Sequence, residues 1–152
     1  MLNIKIITIG TIKENYFNDA VLEYIKRLKP YAKINFVELK AEAFNDSNKE
    51  QIKKIEAEKI ENALKKCEKK SIFLLDERGS LFDSKEFAKF IDKNQCLVFV
   101  IGGSLGFSEE LLKKYKKVSL SNLTFLHEMV RVILLEQIYR SITIINKKNY
   151  HH

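Results

Sequence analysis

The 152-residue sequence has only two cysteines, Cys67 and Cys96. One falls in a helical pattern and the other opens a strand pattern, so they supply neither a disulfide framework nor the paired spacing of a metal site. No apolar run reaches the length that spans a bilayer. The opening residues Met1-Leu2-Asn3-Ile4-Lys5-Ile6 alternate like a strand and lack the charged and apolar regions of a signal peptide. No Gly-Lys-Ser/Thr follows the one glycine-rich loop, and its glycines are not spaced G-x-G-x-x-G. The expectation is a cytoplasmic protein with no membrane and no metal, whose ligand is held neither as NAD nor as a P-loop nucleotide.

Apolar residues make up 45% of the chain, enough at this length for one domain with a proper core. The formal charge is +7 and the pI is near 9.3. Such an excess favours a polyanionic partner, most simply a nucleic acid, although lysines also decorate exposed helix faces here.

Periodicity gives five strand–helix pairs. Residues 2–9 form a strand ending at Gly10. From Glu14 to Leu28 the apolar residues Phe17, Val21, Tyr24, Ile25 and Leu28 form a helical stripe that Pro30 stops. Residues 33–39 make a second strand, and a polar loop over 45–48 caps a long charged helix. A third strand, 71–75, runs into Asp76-Glu77-Arg78-Gly79. Asp83 and Glu86 resemble a capping box for a helix to about Ile91. A fourth strand ends in Val98-Phe99-Val100-Ile101, and Ser108 opens the helix after it. A short fifth strand, 118–120, enters the loop Ser121-Asn122-Leu123-Thr124-Phe125. The last helix covers about 126–142. Alternation of this kind with short connections predicts an α/β fold, a mainly parallel sheet with helices on both faces.

Two segments stand out. Gly102-Gly103-Ser104-Leu105-Gly106 follows a strand apolar on both faces and holds three of the five glycines. In an open parallel sheet this is where the backbone comes close to a ligand, although ordinary corners are built the same way. The last helix is apolar around most of its circumference and needs two partners, the sheet and a second surface, for which another copy of the chain is the leading expectation.

Three segments then converge. They are Leu74-Leu75-Asp76-Glu77-Arg78-Gly79, Val100-Ile101-Gly102-Gly103-Ser104-Leu105-Gly106, and the run from Ser119 through Thr124, His127, Arg131, Glu136, Gln137, Tyr139 and Arg140 to Tyr150-His151. In that order they resemble the ribosomal RNA large subunit methyltransferase H family of small SPOUT-class enzymes. The resemblance covers essentially the whole chain. It implies a C-terminal trefoil knot, a homodimer, and S-adenosylmethionine as methyl donor. It also implies a pseudouridine of helix 69 in 23S ribosomal RNA as substrate, methylated at ring nitrogen 3. The cofactor-binding positions it implies are Leu75, Gly102, Gly103, Leu120, Ser121, Asn122, Leu123, Thr124 and Phe125. As catalytic residues, His127 and Arg131 would touch RNA phosphate or the target base, and Tyr150 and His151 would fold over the methyl donor to stack on the flipped-out base and handle its proton. Leu126 replaces a proline common in the family. The alternative reading is a non-enzymatic RNA-binding α/β module.

Overall fold

Along each central strand, successive side chains go to opposite faces, and both sets are apolar, so a layer of helices is required on each side. The computed structural model, which describes residues 1–152, supplies both layers. Its elements are β1 (Leu2–Ile9), α1 (Asn15–Leu28), β2 (Ala32–Leu39), α2 (Lys49–Leu64), a 3₁₀ turn (Lys69–Ser71) and β3 (Ile72–Leu81). They continue with α3 (Ser84–Asp92), β4 (Cys96–Ile101), α4 (Glu109–Lys114), β5 (Lys116–Ser119) and α5 (His127–Ile145). The strands form one all-parallel sheet in the order β2-β1-β4-β3-β5.

On one face Ile4, Ile6, Phe73, Leu97 and Phe99 pack under α1, α3 and α5, meeting Val21, Leu28, Phe87, Ile91, Leu134 and Ile138. On the other, Ile7, Ile9, Ile72, Leu74, Val98 and Val100 meet Ile60 and Leu64 of α2 and Leu111 and Leu112 of α4. Burying each such side chain contributes roughly 1.5–3 kcal/mol. From adjacent β1 and β4 the chain leaves toward opposite edges of the sheet, the arrangement that opens a crevice at the strands' carboxyl ends.

The capping box is present. The Glu86 amide donates to Asp83 Oδ1 at 2.7 Å, and the Asp83 amide donates to Glu86 Oε2 at 2.8 Å. Ser108 caps α4 through the Leu111 amide at 3.3 Å. The polar loop before α2 works differently from expectation. Asn48 stands at the cap without a side-chain bond into the helix, while Asn45 Oδ1 accepts the Ser47 and Asn48 amides in an Asx turn.

Two strands differ from the periodicity reading. β3 does not end at Leu75: it resumes at Ser80-Leu81, with Val118 of β5 opposite both Leu75 and Ser80. Asp76–Gly79 therefore loops out of the ladder as an enlarged bulge. Gly79 permits this, because a Cβ there would lie 2.6 Å from the backbone of Lys117 and Val118. β5 begins at Lys116 rather than 118 and ends at Ser119, which leaves Leu120 in the following loop.

Helix α5 packs between α1 and α3, so neighbours in the same chain cover more of it than its composition suggests. One stripe stays uncovered: Leu126 just before it and Met129 on its first turn are exposed, and Ile133 is half-buried. No helix is long and apolar enough to cross a membrane. Replacing Gly79 by Ala is expected to destabilise the fold by roughly 1–3 kcal/mol, the usual cost of forcing atoms into filled space, measured by urea denaturation.

Candidate functional site

The β3 bulge and the carboxyl ends of β4 and β5 open onto one cavity of about 490 Å³. Leu75, Gly102, Gly103, Leu120, Ser121, Leu123, Thr124 and Phe125 line it, together with Leu105 and His127. Asn122 does not: it is exposed on the outer side of its loop. The glycine loop is shaped by contact on both sides. A Cβ on Gly103 would come 2.9 Å from Ile9 Cγ2 and 3.2 Å from Glu56 Oε1. Gly106, at φ +72°, turns back so that its amide donates to the Gly103 carbonyl at 3.0 Å. Gly102, Gly103 and Gly106 thereby line the cavity with bare backbone.

The facing loop, 120–126, has its own internal bonds. Ser119 Oγ donates to the Ser121 carbonyl at 2.7 Å, and the Leu123 amide donates to Ser121 Oγ at 3.0 Å. Thr124 Oγ1 donates to Glu77 Oε2 at 2.6 Å, tying this loop to the β3 bulge. Asp76, Glu77 and Arg78 also line the cavity. The motif that contains them assigns them no site role on its own; three charged residues directly after a buried strand are the available signal. Arg78 forks onto both Asp76 oxygens at 2.8 and 3.1 Å, and that bonding holds the Asp76 carboxyl below the usual carboxylate range.

The first turns of α5 build the remaining wall. His127 faces the cavity, with Nε2 3.9 Å from where a Cβ on Gly10 would stand. Burial pushes its pKa down, Arg131 and Lys13 add to the effect, and Glu128 opposes it. The imidazole is therefore neutral at neutral pH. Arg131 shares that helical side but does not reach the cavity. It is 2% exposed, donating from Nη1 to Glu38 Oε2 at 2.8 Å and from Nη2 to the Gly10 carbonyl at 2.6 Å. An RNA contact by Arg131 is thus replaced by an internal one, because a β2 carboxylate and a β1-end carbonyl capture the guanidinium first. Buried Glu128 accepts the Lys13 and Glu14 amides at 3.1 and 3.3 Å, serving α1, whose own cap residue makes no side-chain bond.

Tyr150 and His151 lie elsewhere in the same chain. The Tyr150 hydroxyl donates to Glu136 Oε1 at 3.2 Å, its ring stands edge-on to Tyr139 with centroids 5.0 Å apart, and Arg140 lies over it at 4.9 Å. Arg140 also reaches His151 Nδ1 at 3.2 Å, which makes that nitrogen the acceptor. Burial, with help from Tyr24 and Glu136, pushes the Tyr150 phenol up, so it remains a donor. Glu136 is nine residues along α5 from His127, about 14 Å of helix, so the single chain does not bring the tail to the cavity.

Comparison with known proteins places this geometry. The family model described as "Predicted SPOUT methyltransferase" matches residues 2–151. The chain belongs to the SPOUT methyltransferase family. Its relatives include the ribosomal RNA large subunit methyltransferase H of Clostridium botulinum (strain Alaska E43 / Type E3), 43% identical with 99% of each chain covered. The protein of that name from Acetivibrio thermocellus is 42% identical over the same shares. Among solved structures, a Legionella pneumophila methyltransferase with bound SAM matches with TM-score 0.53 at 13% identity. The alignment covers 93% of this chain and 66% of that one. At that identity the likeness shows a shared fold alone.

The cavity of this SPOUT chain fits a nucleoside-sized cofactor: its volume is within the ordinary range for such sites, bare glycine backbone lines it, and leucines wall it. No three His, Cys, Asp or Glu side chains are placed to share a metal ion.

Two stability predictions follow from the surroundings of the site. Arg131→Met should cost on the order of 2–4 kcal/mol in urea denaturation: Glu38 is partly solvated, but the Gly10 carbonyl loses a charged donor. Glu56, 6% exposed beneath Gly103, has its carboxyl pushed up by burial, with a backbone bond from Glu42 and the charge of Lys59 opposing. A raised acid pKa favours folding at low pH, and that advantage is lost as pH rises through the folded value. Glu56→Gln should therefore raise the Tm at pH 8, and the gain should vanish as pH falls below the ordinary glutamate value of about 4.3.

Proposed function

We propose that this SPOUT methyltransferase transfers a methyl group from S-adenosylmethionine to ring nitrogen 3 of a pseudouridine in helix 69 of 23S ribosomal RNA, as a cytoplasmic homodimer. The observation that carries the reading is the single cavity shared by the β3 bulge and the loops after β4 and β5, with eight of the nine family cofactor positions on its wall. Support for the RNA comes from the names of relatives that match end to end and from the +7 charge. Leu120 to Phe125 is the loop that the family's trefoil knot would involve.

S-adenosylmethionine supplies the electrophilic methyl group when bound. The chain's part is to hold, orient and exclude. Gly102 and Gly103 bring main-chain donors and acceptors to the nucleoside edge, and Leu75, Leu105 and Leu123 keep water out. The imide at nitrogen 3 attacks only after losing its proton, and a cationic centre beside the base favours that loss. No strong base is needed, so alignment of the attacking nitrogen dominates. Neutral His127 offers a hydrogen-bonding nitrogen at the cavity mouth. Arg131 acts through Gly10 and α5 as a positioning residue.

The uncovered stripe of α5 supports the dimer. It begins at the cavity rim, at Leu126 and Met129, and continues through Ile133 toward Glu136 and Arg140. Two copies joined about a two-fold axis with antiparallel α5 helices would meet residue i against residue j and j against i. That packing brings one protomer's Tyr150 and His151 to its partner's cavity, where they would stack on and bond the flipped-out base.

Mass spectrometry of the helix 69 fragment, from cells with and without the protein, tests the reaction: the methyl group should disappear on deletion, and its persistence would overturn the reading. Gly102→Val should abolish S-adenosylmethionine binding in calorimetry while the protein stays folded. His151→Ala should bind cofactor normally yet lose methyl transfer by about 100-fold, the lower range for a positioned polar group.

A further inference from the structure

A second, smaller cavity of about 280 Å³ lies on the other side of the β3 bulge, between β5 and α3. Its apolar wall is aromatic: Phe82 and Phe90 stack with centroids 5.4 Å apart and planes 23° apart, and Phe73 stands edge-on to Phe90. Its rim is cationic. Lys116 supplies it with an unpaired ammonium; Lys117 also lines the cavity but donates to the Leu112 carbonyl at 2.8 Å, Arg78 is forked onto Asp76, and none of the nine lining residues is acidic. Lys116 is exposed, and its ammonium lies 6.0 Å over the Phe73 ring. Phe82 and Phe90 are each only half-buried, leaving aromatic surface open to a ligand. Arg78 also lines the large cavity, so the two share a wall.

We propose that this cavity is a nucleotide subsite for single-stranded RNA, taking a base that flanks the methylated one. The inference rests on the function proposed above, since it is the strand entering the large cavity that must continue past Arg78. A planar base finds an aromatic platform in Phe82 and Phe90. Its phosphate meets the unpaired ammonium of Lys116, a contact that sets register without reading sequence. An acidic peptide would satisfy the same cations but has no use for stacked rings, so RNA is the ligand that employs both halves of the site.

The test uses the full-length protein and a helix 69 oligonucleotide. Lys116→Glu, an exposed change, should weaken RNA binding about tenfold and flatten its log–log salt dependence by about one unit, with S-adenosylmethionine affinity unaltered. Phe82→Leu keeps an apolar filler and should weaken RNA binding about fivefold without altering that salt slope, consistent with the size of a base–aromatic stack. A benzoylphenylalanine placed at exposed Ser80 should crosslink to a nucleotide adjoining the methylated one. Wild-type RNA affinity and turnover in both variants, or crosslinks only to polypeptide, would overturn the subsite alone. A wild-type protein that binds neither cofactor nor RNA would overturn the proposed function with it.

Discussion

A glutamate and an arginine on the first turns of α5, both buried, join the C-terminal helix to the start of the chain. Glu128 takes two amides at the head of α1, and Arg131 takes the Gly10 carbonyl at the end of β1 and a carboxylate near the end of β2. These are charge-assisted bonds in a place with little water, where an unpaired partner would be costly. Their effect is to fix the angle at which α5 leaves the loop over 120–126. His127 directly precedes Glu128 and inherits its position from the two anchors. The cavity wall most distant in sequence from β1 is thus located by β1.

The rest of the site depends on close backbone approach. Gly79 lets the bulge rest on β5, Gly103 lies against Ile9 and Glu56, and the Thr124–Glu77 bond joins the bulge to the loop across the mouth. Few side chains with reactive groups are present. What the fold provides is a shaped, mainly main-chain surface with charge arranged at its edges, suited to chemistry in which alignment matters more than proton transfer.

Strand and helix placement was legible in the residues because β1 opens with clear alternation, β4 is apolar on both faces, and the helices carry clear stops and caps: Pro30, the Asp83–Glu86 box and Ser108. The glycine loop was legible as a place of close approach. The β3 bulge was not. Asp76-Glu77-Arg78-Gly79 has the composition of an ordinary loop, and only pairing with a strand almost 40 residues later shows that β3 resumes. Arg131 was misjudged for a related reason. Helical spacing puts it beside His127, but Glu38 and the Gly10 carbonyl, which draw it inward, come from the far side of the sequence. Likewise α5 reads as apolar all round, yet α1 and α3 cover much of it, information that no local window contains.

The outermost strand on one side, β5, is four residues long, and two of the four are lysines. An open sheet border is a template on which identical chains can stack into fibres. Here that border is brief and positively charged, and the strand beside it is interrupted by looped-out residues. Copies of the molecule crowded at high concentration would repel one another along this rim instead of zipping into a continuous ribbon. The sheet thereby offers identical chains no long, flat, uncharged ladder to extend along this side.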